Sequence, residues 1–203
     1  MLTIPKIESI ADFFDTYLEL PIDKINWDGY ATPPAAKVRL AYVDGSGLAV
    51  RIMSSDTELL ATVNKPDGMV CEDSCLEAFI DFAPESGKGY INFEINPFAA
   101  LHEAIGEGRH GRTFTRTLGA PVTDPITSVS TDGWEAMYIV TLPHLEALYG
   151  ITELKSGDKI KANFYICCDK NPAGAYYATA FPIGTEKPDY HRPEYFEELT
   201  IGE

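Results

Sequence analysis

Carboxylate and amide side chains recur at every second position in two segments of the chain, residues 76–82 and 90–96. Because successive side chains of a β-strand point to opposite faces, each segment is predicted to form a strand with one polar and one apolar face. The polar faces carry Glu77, Phe79, Asp81, Tyr90, Asn92, Glu94 and Asn96. Carboxylates and amides bind hydroxyl groups and aromatic rings stack on C–H faces, so the pattern is typical of a sugar-binding surface. An ordinary solvated sheet face gives the same alternation and is the simplest alternative.

The register of these two strands follows from the cost of burying charge. A slip of one residue would place Glu77 and Asp81 against Ile91 and Ile95 in the core. Burying such carboxylates without partners is expensive. The favoured register therefore pairs the two apolar sets and leaves the polar side chains on one shared outer face.

Two further regions supply candidate ligand-binding residues. Residues 159–169 alternate in the same way, so Asn163 and Tyr165 are predicted to point outward and to approach the polar face if this strand lies in the same sheet. Basic residues concentrate around Arg109 in an otherwise acidic chain. We expect this loop either to reach over the polar face, where Arg109 would contact hydroxyl groups or an acidic sugar, or to be a solvated loop.

The same carboxylates are also candidate catalytic groups. A glycosidase needs two carboxylates about 5 to 9.5 Å apart across the scissile bond. Glu77 and Asp81 are four residues apart on one strand, a separation of roughly 13 Å. Glu77 and Glu94 would lie opposite each other, with about 5 Å between their Cβ atoms. They are the one pair whose spacing is compatible with a catalytic function. Contacts to sugar hydroxyls or a cation explain this pair more simply, so no catalytic residue is predicted.

The cysteines and histidines give no metal motif. None of the four cysteines forms a CxxC motif or a Cys/His set with zinc spacing. Cys167 and Cys168 are neighbours that would point to opposite faces of a strand, so free, mostly buried thiols are predicted. His191 is interpreted as a structural hydrogen-bonding residue. The metal content stays unknown, with the acidic loop 67–73 as a candidate calcium site that lacks EF-hand spacing.

Length and charge bound the function further. The chain has 203 residues, enough for one sizeable core and too few for two comfortable domains. Its formal net charge of −15 disfavours nucleic acid and anionic membranes as partners, because their binding depends on Lys and Arg. The start of the chain has no apolar signal-peptide segment, which predicts a cytoplasmic protein, or a secreted or periplasmic one if a signal has been removed.

Short strands with Gly and Pro turns predict an all-β fold, an antiparallel and jelly-roll-like β-sandwich with short peripheral helices. The sequence Asp-Gly-Ser-Gly at residues 44–47 marks a hairpin. Helical spacing over residues 7–18, ended by Pro21, predicts that residues 1–21 form a helical extension of a single domain, 1–203. The predicted strands are 37–43, 48–54, 76–82, 90–96, 134–142 and 159–169, with a short helix over 144–149 and irregular loops with one or two more strands in 97–133.

Segments along the chain resemble, in order, the motifs of family 9 carbohydrate-binding modules, in particular their Bacteroides-type branch. They are residues 70–81, which carry DSxxExFI, residues 90–96, similar to YxNFExN, residues 134–145, similar to W…IP…L, residues 162–169, similar to ANFYKCGD, and residues 188–196, similar to PDFHxPxxF. The matches keep their order and cover most of the chain from about residue 22 onward.

The resemblance implies a β-sandwich that binds glycans without cleaving them, beside a partner glycoside hydrolase, with structural calcium in some members. Characterised members clamp a terminal sugar between two tryptophans. This chain has Trp27 and Trp134, and the alternation around Trp134 predicts a core position. Val70 and Cys71 stand where a clamp tryptophan would be expected. The candidates to take its place are Tyr165, Tyr176 and Tyr177.

The predicted function is therefore non-catalytic carbohydrate binding linked to polysaccharide or oligosaccharide breakdown. The predicted ligand-binding residues are Glu77, Asn92, Glu94, Asn96, Arg109, Asn163 and Tyr165. Two alternatives stay open. One is a haem- or other cofactor-binding sandwich of related shape, although no axial ligand pair is evident. The other is an interaction domain that has lost sugar binding.

Overall fold

The computed structural model describes residues 2–203, and its strands form two sheets that pack face to face. In spatial order, the first sheet contains β1 (Leu2–Ile4), β14 (Glu197–Ile201), β12 (Lys159–Cys168), β6 (Cys75–Asp81), β7 (Tyr90–Ile95), β8 (Leu101–Gly106) and β9 (Thr113–Phe114), with β13 (Tyr176–Thr179) paired to β12. The second contains β10 (Ile126–Ser130), β11 (Gly133–Thr141), β5 (Gly47–Ser54), β4 (Ala36–Val43) and β2 (Lys6–Ile7), with β3 (Leu18–Ile22) paired to β4. The predicted all-β sandwich is confirmed.

The sheets are mixed, and helices are short. Most neighbouring strands are antiparallel, but β1 runs parallel to β14 and β2 runs parallel to β4. The predicted short helix is present as α1 (Leu142–Tyr149), whose first turn is capped by the Thr141 hydroxyl and which ends at Gly150 with φ 80°. Across residues 2–203, no helix combines the length and the apolar character that crossing a membrane requires.

The predicted hairpins are also present. β4 and β5 are joined by the Asp-Gly-Ser-Gly turn, and β6 and β7 by the loop that follows Asp81. Gly47 adopts φ 146°, and a Cβ atom there would lie 2.1 Å from the carbonyl oxygen of Val140 on β11. Glycine is therefore required where β5 passes closest to β11.

The inter-sheet core has the register that the sequence predicted. Leu76 lies opposite Ile95 and Ile80 lies opposite Ile91, so the apolar sides of β6 and β7 both face the second sheet. Trp134 is 3% exposed and belongs to the same core, which confirms its predicted position. Burying these side chains between the sheets provides the main stabilisation of the fold.

The N-terminal segment differs from the predicted helical extension. It contributes β1, β2 and β3, and its helical part is the short 3-10 helix Ile10–Phe14. Of the predicted helix over residues 7–18, the part Ile10–Phe14 is helical, whereas Ile7 and Leu18 at its two ends pair with β4 as parts of strands. Pro21 is tolerated there because β3 lies at the edge of its sheet.

Residues 97–133 are more regular than predicted, since they contain β8, β9 and β10. The sequence of β8 does not show the usual alternation of a strand, because a polar side chain occupies an inward position. Glu103 is buried, accepts a hydrogen bond from the Thr115 hydroxyl at 2.6 Å and lies 3.0 Å from His144 Nε2. Its partners satisfy the carboxylate, and an apolar residue is therefore not needed at that position.

Candidate functional site

The polar face of β6, β7 and β12 is covered by the C-terminal part of the chain. Phe79, Tyr90 and Tyr165 are each at most 1% exposed. Tyr190 stacks on Tyr165 with ring centroids 4.1 Å apart, and Phe196 contacts Tyr90 edge to face. These rings form a second apolar core, so the expectation of a solvent-facing outer surface is wrong. Alternation predicts which side chains share a face, but it cannot predict what packs on that face.

The three strands nevertheless bring the predicted side chains onto one face. β12 pairs with β6 so that Tyr165 lies opposite Glu77 and Asn163 lies opposite Phe79. β6 pairs with β7 so that Glu77 lies opposite Glu94. The predictions that Asn163 and Tyr165 share a sheet with these carboxylates, and that the two carboxylates oppose each other, are confirmed.

The asparagines predicted to bind ligand, Asn92, Asn96 and Asn163, are fully buried and bonded within the protein. Asn96 donates to the Asp73 carboxylate at 2.8 Å and accepts from two backbone amides at 3.1 Å each. Asn163 accepts from the Phe181 amide at 3.0 Å and donates to the Phe181 carbonyl at 3.1 Å. These contacts hold loops against the sheet.

Glu77 and Glu94 meet in a cavity of about 180 Å³ that opens between the sheet and the covering segments. They are 2% and 7% exposed, respectively. The other lining residues are Cys71, Phe79, Arg109, Cys167, Asp169, Tyr177, Pro188, Asp189, Tyr190 and His191. Of the residues predicted to bind ligand, Glu77, Glu94 and Arg109 line this cavity, and Asn92, Asn96, Asn163 and Tyr165 lie outside its lining.

The environment of the two carboxyl groups disfavours charge. Burial raises the pKa of Glu77 well above its ordinary value, and the neighbouring carboxyl of Glu94 raises it further. Burial also raises the pKa of Glu94, but the charge of His102 and the hydrogen bond from Asn92 act in the opposite direction. Glu77 therefore has the stronger tendency of the two to keep its proton.

Asn92 forms a hydrogen bond with Glu94, and Arg112 in turn forms one with Asn92. The Asn92 amide donates to the Glu94 carboxylate at 2.9 Å and accepts from Arg112 Nε at 2.9 Å. Arg112 also donates to the carbonyls of Tyr90 and Ala104, each at 2.9 Å, and its guanidinium lies 4.2 Å from the centre of the Tyr90 ring. Arg112 thus anchors the loop that carries Arg109.

Polar and aromatic groups surround the cavity opening. Arg109 donates from Nε and Nη2 to one oxygen of Asp189, at 3.1 and 2.7 Å, and its side chain is about half exposed. The Tyr177 hydroxyl donates to Asp169 at 2.8 Å. The ring of Tyr30 meets Tyr177 edge to face at 4.9 Å between centroids. Arg109 therefore lies at the cavity, in agreement with the first of the two predictions for its loop, that it reaches over the polar face.

His191 lines the cavity as an uncharged ring. Its Nδ1 lies 2.8 Å from the Tyr90 hydroxyl, which confirms the predicted hydrogen-bonding role. Burial, followed by the nearby charges of Arg112 and Arg109, lowers the pKa of His191 to about 3. Sequence reasoning did not place His191, Asp169 or Asp189 in the site. Their signal was available, because these residues lie in the motif-like segments 162–169 and 188–196.

Neither tryptophan lines this cavity. Trp134 is in the inter-sheet core, and Trp27 is buried with its indole N–H donating to the Thr185 carbonyl at 2.9 Å. Among the tyrosines considered as replacements, Tyr177 lines the cavity. Tyr165 is fully buried, and Tyr176 belongs to the inter-sheet core. Of these three candidates, Tyr177 is therefore the one placed to contact a ligand.

The carboxylates of the acidic loop named as a candidate calcium site contact donors of the protein itself. Asp67 forms an ion pair with Arg116. Asp73 accepts from the backbone amides of Thr62 and Val63 at 2.9 Å each.

Comparisons with known proteins find similarity to carbohydrate-binding proteins. The sequence model of carbohydrate-binding family 9 matches residues 13–201. A proposed carbohydrate-binding protein from Bacteroides uniformis is 24% identical, with a TM-score of 0.81 and 98% of each chain covered. No curated protein matches the chain.

Two structures of a family 9 carbohydrate-binding module from Caldicellulosiruptor kristjanssonii share the fold. The structure in complex with cellotriose has a TM-score of 0.65 at 13% identity, covering 99% of this chain and 93% of that one. The structure in complex with glucose has a TM-score of 0.67 at 14% identity, covering 100% and 96%. None of these comparisons supports the haem-binding alternative.

Proposed function

This chain belongs to carbohydrate-binding family 9, and from that membership we propose that it binds the terminal unit of a neutral glycan, without cleaving it, in the cavity of Glu77 and Glu94. The observation that carries the proposal is the pair of opposed carboxyl groups in the most buried part of the cavity. A sugar hydroxyl both donates and accepts, and two carboxyl groups, of which Glu77 keeps its proton more strongly, can both accept from it and donate to it.

The rest of the cavity supplies the other contacts that a sugar needs. Arg109 has guanidinium N–H groups at the opening, and the uncharged ring of His191 offers a further polar contact. The face or edge of Tyr177 is the apolar surface for the C–H groups of the sugar. Its hydroxyl is held by Asp169, which fixes the ring in position.

A neutral ligand suits the electrostatics. The chain has a formal net charge of −15, and both carboxyl groups are buried with raised pKa values. An anionic sugar would add negative charge beside Glu94, and the Arg109 side chain already pairs with Asp189. The small cavity favours one terminal sugar unit over the interior of a chain.

The arrangement of the carboxyl groups argues against glycoside hydrolysis. Hydrolases place their two carboxyl groups on either side of the scissile bond. Here Glu77 and Glu94 come from adjacent strands of one sheet and lie side by side at the same wall of the cavity. A sugar entering the cavity would meet both groups from one direction. We infer a binding role beside a partner glycoside hydrolase that degrades the polysaccharide or oligosaccharide.

Glucose and cellotriose are the first ligands to test, since they occupy the two Caldicellulosiruptor structures. Calorimetric titration of both, followed by a broad glycan array, would identify the ligand. Glu94→Gln should weaken binding by about 0.5 to 3 kcal/mol because an amide replaces the carboxyl group at the cavity wall. That corresponds to roughly a 2- to 150-fold increase in Kd. Glu85→Gln, on the exposed loop between β6 and β7, is the matched control and should bind normally.

Three outcomes would contradict the proposal. Unchanged affinity in both Glu94→Gln and Tyr177→Ala would mean that the sugar binds elsewhere. Binding of no glycan across the array would favour an interaction domain that has lost its ligand. Hydrolysis of cellotriose that disappears in Glu77→Gln would show that the pair is catalytic.

A further inference from the structure

Cys75, Glu77 and Cys167 converge on one point of the first sheet. Cys75 and Cys167 lie directly opposite each other on β6 and β12, and Glu77 follows two residues after Cys75, on the same face. One ligand atom from each of the three side chains lies within 4.8 Å of the others. All three side chains are buried, at 1%, 2% and 2% exposure. The sequence conceals this set because β6 and β12 are far apart along the chain.

Glu77 is poorly provided with hydrogen-bond donors for so buried a carboxyl group. The Cys167 thiol, a weak donor, lies 3.0 Å from its Oε1 atom. Glu94 adds repulsion from the adjacent strand. A buried carboxyl group with few donors keeps its proton unless a cation beside it stabilises the carboxylate. A cation between the carboxyl group and the two sulfur atoms would provide the missing partner.

We propose that Cys75, Cys167 and Glu77 form a binding site for a thiophilic divalent cation of the Zn²⁺ type. Zinc is held by Cys sulfur at about 2.3 Å and by carboxylate oxygen at about 2.0 to 2.2 Å in tetrahedral geometry, which sets ligand atoms about 3.5 to 3.8 Å apart. The three atoms here need to move by about 1 Å or less to reach that spacing. Binding releases the two thiol protons and any proton on Glu77, leaving two thiolates and one carboxylate around the ion.

The fourth ligand comes from the cavity. Glu77 and Cys167 both line it, so the ion would be reached through the cavity and would complete its coordination with water. Zinc sites with three protein ligands keep the fourth position for water or another small ligand. Calcium and magnesium are disfavoured, because two of the three ligands are sulfur.

The site can be tested without any sugar, so its failure is independent of the proposed glycan binding. Freshly reduced protein, stripped with a chelator under anaerobic conditions, would be titrated with Co²⁺ alone. We expect one Co²⁺ per chain, a thiolate-to-cobalt charge-transfer band, and displacement of that band by Zn²⁺. Cys75→Ser, Cys167→Ser and Glu77→Gln should each weaken Zn²⁺ binding by more than about 100-fold. Mutating a residue that only hydrogen-bonds to a metal ligand already lowers metal affinity by about 10- to 100-fold.

Cys168→Ser is the matched control. Cys168 neighbours Cys167 but belongs to the inter-sheet core on the opposite face, so this variant should bind metal normally. Circular dichroism would establish that each variant is folded, and the wild-type cobalt band is informative by itself. Absence of a stoichiometric band in the wild type would overturn the proposal. So would equal loss in Cys168→Ser, or a Cys75–Cys167 disulfide that persists after reduction.

Discussion

Asp73 and Glu77 lie close together in the chain and both are buried, yet their surroundings shift the pKa values of the two carboxyl groups in opposite directions. Asp73 accepts hydrogen bonds from backbone amides, from the Thr62 hydroxyl and from the Asn96 amide. Burial alone would raise the pKa of Asp73, but these hydrogen bonds lower it below its ordinary value. Glu77 has the Cys167 thiol as its close donor, and its pKa is raised.

The difference separates a structural carboxylate from an available one. Asp73 ties the loop at residues 62–63 to the end of β7, and its carboxylate accepts four hydrogen bonds from within the protein. Glu77 faces a cavity and lacks comparable donors, so a sugar hydroxyl or a cation can satisfy it. Both side chains are almost inaccessible to solvent, and both carry a carboxyl group. The supply of hydrogen-bond donors decides the role.

The largest expected effect comes from removing the structural carboxylate. Asp73→Ala leaves several buried donors without an acceptor, and we expect the free energy of unfolding to fall by about 3 to 5 kcal/mol. Urea denaturation at neutral pH would measure it. Asp132→Ala, at an exposed turn, should change stability by less than about 0.5 kcal/mol. Equal stability of the two variants would remove the distinction between Asp73 and Glu77.

A smaller, pH-dependent effect is expected at Glu77. Because its folded-state pKa is raised, the folded protein holds a proton that the unfolded chain releases near pH 4.5. Stability from this group is complete below that pH and is lost as the pH rises towards the raised folded-state pKa. The neutral Glu77→Gln variant escapes this loss, so its advantage over wild type should grow with pH, by up to about 1.4 kcal/mol per unit.

Thermal unfolding of wild type and Glu77→Gln from pH 4 to pH 8 would measure this effect. Glu85→Gln is the control, since Glu85 is exposed, and its difference from wild type should not change with pH. An advantage for Glu77→Gln that shrinks as the pH rises would show that Glu77 is stabilised as a carboxylate, like Asp73.

The smallest expected effect is on glycan affinity at the cavity wall. Tyr177→Ala should weaken sugar binding by about 0.5 to 1.5 kcal/mol through loss of the stacking surface. Calorimetry would measure the affinity and urea denaturation the stability. Tyr17→Ala is the control, because Tyr17 contacts Arg39 on the second sheet and should not affect binding. A loss of affinity in Tyr17→Ala of the same size would place the sugar outside the cavity.

Much of the fold was predictable because its signals are local. Alternation over residues 76–82 and 90–96, together with the cost of burying carboxylates, predicted the register that places Glu77 opposite Glu94. The apolar spacing over residues 7–18 predicts a longer helix than the 3-10 helix Ile10–Phe14, because Ile7 and residues 18–22 pair with β4 as strands. Sheet pairing is a tertiary effect that short-range spacing does not reveal.

The sequence by itself therefore determined which side chains share a face, that Trp134 is in the core, and that two carboxylates oppose each other. Only the tertiary structure decided that the polar face is closed by the C-terminal segment, so that Asn163 and Tyr165 become internal. It also decided that the Cys167 thiol meets a carboxyl group 90 residues earlier in the chain. The physical reason is that strand periodicity sets the direction of a side chain, whereas its solvation and partners depend on distant segments that pack over it.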